Sequence, residues 1–364
     1  MFIFTQYFTP AKKAGGPITS ISNVVAALDQ EFSIVSRGQD LNEQENLEGI
    51  QIDAWTASKR NYFVGMGFSS LRRYLKLLRS HSKVVFYING IFDWKINLLP
   101  MVIGKKLIIS PRGMLQQGAL KNGSVKKGFY LAICRYQLKT KNVIWHATDE
   151  VEATDIQTIF GESQKVQIIS NIPNYFKQKI IKSPKSGEEI KLVYYSLISQ
   201  KKQLHIVLKS IEKSSIPISL AIYGPVKDET YWKECLQIIS QSEKLKVHVQ
   251  YKGPLSMNDL PDVLPTYDYF ILPTLGENFG HAIFEALNCY LPVIISSKTP
   301  WSFKENEDFG FILDDEPTDE FWEKLRSISD VEYHNMCLNA RKKSEEFYDK
   351  IEKEIIPAYK KLFS

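Results

Sequence analysis

Short runs of β-branched and aromatic residues alternate with helix-length stretches along the whole chain, and this alternation restricts the fold more than any other feature. The first set of runs is Phe2-Ile-Phe, Phe32-Ser-Ile-Val, Ile50-Gln-Ile-Asp, Val84-Val-Phe-Tyr-Ile, Leu107-Ile-Ile, Val143-Ile-Trp-His and Val166-Gln-Ile-Ile. The second is Leu192-Val-Tyr-Tyr, Ile218-Ser-Leu-Ala-Ile-Tyr, Val247-His-Val, Tyr269-Phe-Ile-Leu, Val293-Ile-Ile and Phe311-Ile-Leu. Strands separated by helices of ten or more residues pair in parallel through crossovers, and such sheets are covered on both faces. The pattern therefore predicts an α/β chain with two Rossmann-like domains. At 364 residues the chain is long enough to fill two cores. The polar segment from Asn174 to Glu189, with Pro184 and Gly187, is the expected linker, which gives domains at 1–172 and 173–347.

Composition removes several classes of function. The start, Met1-Phe-Ile-Phe-Thr-Gln-Tyr-Phe-Thr-Pro, has no basic residue and too short an apolar run for a signal peptide. The most apolar stretch, 96–109, is broken by Pro100, Gly104, Lys105 and Lys106, so no transmembrane helix is expected. Cys134, Cys235, Cys289 and Cys337 have neither CxxC nor metal spacing and are expected to be reduced thiols of a cytoplasmic protein.

The net charge of +5 is unevenly spread: Arg72, Arg73, Lys76 and Arg79 lie close together, with Lys121, Lys126 and Lys127 following. The first group lies on an amphipathic helix with Leu71, Tyr74, Leu75 and Leu78 on one side. Two readings stay open there: a core-facing helix with a solvated basic face, or a peripheral contact with the cytoplasmic face of a membrane. No basic stripe is interleaved with stacking aromatics, so nucleic acid is not an expected partner.

One segment carries the chemistry. Residues 272–287 read Leu-Pro-Thr-Leu-Gly-Glu-Asn-Phe-Gly-His-Ala-Ile-Phe-Glu-Ala-Leu, and a strand beginning Pro292-Val-Ile-Ile follows. An apolar strand ends at Leu272, Glu277 to Gly280 form a polar loop, and a helix runs from His281 to Asn288. A loop with glycine leading into a helix start is an anion site, because the first backbone N–H groups are unused and point outward. Glu277 precedes the helix and Glu285 lies within it. Eight residues along a helix rise about 12 Å, whereas a glycosidase carboxylate pair stands roughly 5–9.5 Å apart. Two separate contacts fit these carboxylates better than one acid/base pair.

The spacing Glu277-x7-Glu285, with Glu-Asn-Phe-Gly, Glu-Ala-Leu and Pro-Val-Ile around it, resembles the signature of the GT-B retaining glycosyltransferases, often called family 4 or glycosyl transferases group 1. The likeness is dense between residues 251 and 301. It implies two Rossmann-like domains facing across a cleft, with the last helix, about 348–364 and kinked at Pro357, crossing back to the first. It implies that Glu285 binds the ribose hydroxyls of a nucleotide and that Glu277 faces the sugar ring. Backbone N–H groups of Asn278, Phe279 and Gly280 would hold sugar hydroxyls and the diphosphate. Gly15 and Gly16, before a helix from about Ile18 to Leu28, match the family's N-terminal glycine loop. Ser110-Pro-Arg112-Gly113-Met114 resembles a subgroup that builds cell-surface polysaccharides, and Arg112 would contact donor phosphates or an anionic acceptor. A turn arginine paired with a carboxylate is the plainer reading.

Several positions depart from the pattern. Relatives usually carry an arginine and a lysine five residues apart after the first strand of the second domain, both on the diphosphate. Lys202 matches the lysine, but Leu197 stands where the arginine belongs. Either Lys201 or Arg112 compensates, or the enzyme is slow, or the site binds without turnover. Gln203 and Tyr290 replace common glycines, and Tyr290 is expected to bring a different helix ending or local strain. Tyr87-Ile-Asn89-Gly90 stands where relatives have His-x-His-Gly, so no imidazole base is offered. His146 and His205 read as packed or surface histidines, and Gly65-Met-Gly67 reads as a loop. No D-x-D motif occurs, so neither a metal nor a cofactor is expected; lysine and the helix start would neutralise the phosphates.

The implied function is transfer of a sugar from a UDP- or GDP-sugar to a saccharide or lipid-linked oligosaccharide acceptor. A donor phosphate oxygen would take the proton, and domain closure would exclude water. A sugar-nucleotide-binding protein with impaired catalysis and a GT-B sugar-nucleotide epimerase are the alternatives.

Overall fold

The computed structural model describes residues 1–11, 15–41, 43–58, 60–65, 67–116, 120, 124–178, 180–185, 187–301 and 308–364; Met66 and Lys121 lie outside the described residues. The chain divides into two compact units, one of residues 1–172 and 352–364, the other of residues 173–351.

The first unit runs β1 (Phe2–Thr5), α1 (Gly16–Ala27), β2 (Ser33–Arg37), β3 (Asn61–Val64), α2 (Phe68–Ser80), β4 (Val85–Asn89), α3 (Leu99–Ile103), β5 (Lys106–Ser110), α4 (Ser124–Leu138), β6 (Val143–Ala147), α5 (Glu150–Phe160) and β7 (Lys165–Ile168). Its seven strands stand in the order β3-β2-β1-β4-β5-β6-β7, all parallel. Phe4, Phe86, Ile109 and Trp145 meet in the core between sheet and helices.

The second unit runs β8 (Ile190–Tyr195), a 3₁₀ turn (Gln200–Lys202), α6 (Leu204–Lys213), β9 (Ile218–Tyr223), α7 (Glu229–Gln241), α8 (Glu243–His248), β10 (Val249–Gly253), α9 (Leu260–Val263), β11 (Tyr269–Leu272), α10 (His281–Asn288), β12 (Val293–Ile295), β13 (Gly310–Ile312), α11 (Asp319–Ser327) and α12 (Asp330–Lys350). The order β10-β9-β8-β11-β12-β13 reverses between β8 and β11. At such a reversal the loops leaving neighbouring strands diverge and leave a crevice beyond the strand C-termini. After α12 a π-helical turn (Ile351–Ile355) leads into α13 (Ile356–Phe363), which belongs to the first unit. Pro357 stands in the first turn of α13, at the junction with that π-helical turn. Tyr359 and Phe363 then pack on His146 and Tyr87.

Two expectations are corrected. Ile50–Asp53 is not a strand. Gly49 (φ 71°) and Asp53 (φ 58°) bend the chain, and only Ile52 bridges to Phe63. The third strand is Asn61–Val64, whose side chains from Tyr62 to Val64 are buried on β2. The strand expected from Val247 starts at Val249, because α8 continues through His248. Helix α2 turns Tyr74 and Leu78 inward and exposes Arg72, Arg73, Lys76 and Arg79, an arrangement that both readings of its basic face share.

Candidate functional site

Three loops meet at the C-terminal ends of β8, β9 and β11. The loop after β8 carries Leu197, Lys201 and Lys202. It is tied to the β11 loop by the Leu275 N–H on the Lys201 carbonyl (2.9 Å) and by the Thr274 hydroxyl on the same oxygen (3.3 Å). The apolar strand Tyr269-Phe-Ile-Leu is buried throughout and delivers the loop 273–280 to the start of α10. Gly280 takes φ 81° as the residue preceding that helix, a conformation that favours glycine. A Cβ there would also crowd Ile283 and Trp301.

These ties bring Lys202 and Glu277 together: the Lys202 ammonium hydrogen-bonds the Glu277 carboxylate directly. Both side chains are largely shielded from water. Lys201 stands beside the pair, and its pKa is pushed below the usual lysine value, first by desolvation, against the raising effect of Glu277, and further by Lys202 and Lys227. The Phe279 ring is core, packed on Trp301 at 5.4 Å between centroids. This residue therefore presents its backbone to the site. Among the described residues no backbone carbonyl takes the N–H of Phe279 or Gly280. Asn278 lies beside them, half-buried.

Glu285 is buried one helical turn further on. The Asn174 amide donates to its Oε1 (3.1 Å), and the Tyr195 hydroxyl also bonds it. Desolvation pushes its pKa up to about 8, with those two hydrogen bonds pulling the other way. Near neutral pH this side chain is therefore largely protonated. No sequence signal pointed to Asn174 or Tyr195 as its partners.

The two replaced glycines keep a glycine's backbone. Gln203 has φ 53° between the 3₁₀ turn and α6, and Tyr290 has φ 59° after α10. At Tyr290 the Leu291 N–H reaches the Ala286 carbonyl (3.0 Å) and the Tyr290 N–H reaches Leu287 (3.1 Å), the hydrogen-bond pattern of a helix end with a left-handed residue. The helix ending is thus unchanged, and the side chain bears the strain.

The sites on the first unit are different in kind. Gly15 (φ 59°) precedes α1, and Gly16 is its first residue. Arg112 is held by side chains of its own unit. Its Nε donates to Asn89 Oδ1 (2.6 Å), Nη2 to the Tyr87 hydroxyl (2.6 Å) and Nη1 to Asn171. Three of the five donors of a guanidinium are engaged this way, and the partners are amides and a phenol rather than the carboxylate of the plainer reading. Glu152 instead receives the N–H groups of Gly113 (2.6 Å) and Thr148 (2.8 Å). His146, bonded to the Tyr87 hydroxyl and the Ile169 carbonyl at 2.8 Å each, is pushed down to about 3 by burial and is neutral. His205 is held by the Tyr231 hydroxyl at 2.9 Å. The four cysteines are buried and unbridged. No group of three His, Cys, Asp or Glu side chains able to hold a metal gathers among the described residues.

Residues 176–347, which include Lys201, Lys202, Glu277 and Glu285, match the family model described as Glycosyl transferases group 1. Over those residues, somewhat less than half of the chain, the second unit is similar to the group 1 glycosyltransferases. The fold of the chain is shared with solved structures of low sequence identity. HepE of Anabaena in complex with UDP-glucose matches with a TM-score of 0.71 at 15% identity, over 95% of this chain and 94% of that one. Sucrose-phosphate synthase of Thermosynechococcus elongatus matches with a TM-score of 0.73 at 13% identity, over 100% and 98%. At these identities the likeness concerns the fold, which is that of the GT-B glycosyltransferases. A curated relative, the UDP-Gal:alpha-D-GlcNAc-diphosphoundecaprenol alpha-1,3-galactosyltransferase of Escherichia coli, is 35% identical over 88 residues. That match takes in 24% of this chain and spans only 23% of the relative's length.

Proposed function

We propose that this protein is a retaining, metal-independent glycosyltransferase of the hexosyltransferase type. It moves a sugar from a nucleoside diphosphate to an acceptor hydroxyl in cell-surface polysaccharide assembly. The supporting observation is the gathering of Lys202, Lys201 and Glu277 at the start of α10, with Glu285 buried one turn beyond. The diphosphate lies against the helix start, and Lys202 exchanges Glu277 for phosphate oxygens as it arrives. Glu277, released from that pairing, faces the sugar and stabilises positive charge at the anomeric carbon. Glu285 receives the ribose hydroxyls. A donor phosphate oxygen takes the acceptor proton, so no protein base is required. UDP is the favoured nucleotide, because both HepE and the Escherichia coli relative are named with UDP-sugars.

A lipid-linked acceptor is supported by that relative's name and by the surface of α4. Val125 (85% exposed), Phe129 (71%) and Tyr136 (78%) project from one side of it, flanked by exposed Lys126 and Arg135. Helix α3 packs against both α4 and the basic helix α2. Apolar side chains rimmed by cations suit an anionic lipid surface, although no helix among the described residues is long and apolar enough to cross a membrane.

Incubation with UDP-galactose, UDP-glucose or GDP-mannose and a lipid-linked acceptor extract tests the transfer. Acceptor-dependent nucleotide release with retained anomeric configuration is the expected result. Inversion, or release without acceptor and with a change at C2 of the sugar, would replace this reading.

A further inference from the structure

Residues 174–176 reach the Glu285 carboxylate because one buried side chain fastens them to the end of α10. Asn174 donates its amide to Glu285 Oε1 (3.1 Å), and Met257 Sδ, a weak acceptor, lies 3.2 Å from the same nitrogen. Two residues on, the Phe176 N–H donates to Oδ1 of Asn288, the last residue of α10 (2.7 Å). Arg341, buried on α12, closes the arrangement. Its Nη1 donates to the carbonyls of Phe176 (3.2 Å) and Asn288 (2.8 Å), its Nη2 to the Tyr175 hydroxyl (3.0 Å) and its Nε to Glu345 (2.7 Å). The guanidinium also lies against the rings of Tyr175 (5.0 Å) and Tyr290 (5.4 Å). A planar fork can hold acceptors in several directions at once, which a lysine ammonium on a flexible stem does not.

We propose that Arg341 is a positioning residue of the donor site, acting on Glu285 through residues 174–176, which it clamps to the end of α10. This rests on the reading of Glu285 as the ribose contact. Glu285 faces Asn174 from that segment, Tyr195 from the end of β8 and Cys289 from its own helix. Burial raises its pKa, and the bonds from Asn174 and Tyr195 lower it; the Arg341 charge is not among these influences. Arg341 therefore reaches the carboxylate by holding Asn174 in place. With the segment released, the Asn174 amide leaves Oε1 and the protonated form gains. A ligand that needs the ionised form then binds more weakly. An arginine that merely braced α12 would leave the Glu285 carboxyl unchanged in the folded protein.

The test is a carbon-13 NMR titration of the Glu285 carboxyl, identified by its loss in Glu285→Gln. It is run on the ligand-free full chain, on Asn174→Ala, on Arg341→Met and on the double variant. Losing one hydrogen bond to a charged group shifts a midpoint by roughly one pH unit or more. Asn174→Ala and Arg341→Met are each expected to raise the midpoint by about that amount, and the double variant no further. Below that midpoint, calorimetric UDP affinity is expected to fall about 10-fold in each single variant and no further in the double. Arg341→Lys, which keeps the charge but not the fork, carries the test if Arg341→Met does not fold. An unshifted midpoint or an unchanged UDP affinity in the folded Arg341 variant overturns the assignment. Shifts of Asn174→Ala and Arg341→Met that simply add overturn it as well. If the midpoints move as expected but the wild type binds no UDP, the clamp stands and the ribose reading of Glu285 fails.

Discussion

Glu285 is the residue whose environment departs furthest from its ordinary chemistry. An unfolded glutamate ionises near 4.5, whereas burial moves this one to about 8 in the fold. The fold therefore favours the protonated form. Its stabilising effect is complete below pH 4.5 and is lost as pH rises through about 8. Glu285→Gln, which cannot ionise, is expected to gain in melting temperature over the wild type between pH 5.5 and pH 8.5. The gap should be on the order of 1–3 kcal/mol, and parallel melting curves at both pH values would contradict it. Two ribose hydroxyls donating to this carboxylate favour its ionised form. Donor binding at pH 7 is accordingly expected to release a proton, seen as a buffer-dependent calorimetric enthalpy. Arg112 shows the limit of reading single residues. Its type was visible in the sequence, but Asn89 and Asn171, which engage it, are distant in the chain. Arg112→Ala is expected to destabilise the protein by roughly 3 kcal/mol or more in urea unfolding. A variant as stable as the wild type but defective in transfer would return Arg112 to the substrate.

At the scale of elements, the strands were legible where apolar runs are buried on both sides, as in Tyr269–Leu272 and Ile218–Tyr223. The edge strand Asn61–Val64 was not, because a short run beginning with polar residues looks weaker than Ile50–Asp53 until the positive φ at Gly49 and Asp53 is known. The signature loop from Glu277 to Gly280 was readable because strand, loop and helix follow one another in the chain. Asn174, the partner of Glu285, was not, since 111 residues separate the two in the chain. Gln203 offers an element-scale test. It holds a left-handed conformation (φ 53°) that costs an ordinary residue about 1 kcal/mol. Gln203→Gly is expected to raise stability by about that amount, while equal or lower stability would show that its side chain makes a compensating contact.

For the whole molecule, each unit has its own core, and the site residues Lys201, Lys202, Glu277 and Glu285 all belong to the second. Donor binding and the ion pair can therefore be separated by substitution within one unit. Glu277→Ala frees Lys202 from its partner, so UDP affinity is expected to hold or rise while transfer falls at least ~100-fold, in line with the loss of one charge-stabilising group. Vesicles of anionic lipid should sediment the wild type and lose it when Phe129 and Tyr136 become serine. Retention of the double variant would remove the membrane contact from α4. The most direct measurement of the central claim is titration of UDP-glucose and UDP-galactose into the whole chain and into Lys202→Ala. Binding by the wild type with a loss of ten-fold or more in Lys202→Ala is the expected result. Absence of binding, or equal affinity in the two proteins, would contradict a diphosphate held at the start of α10.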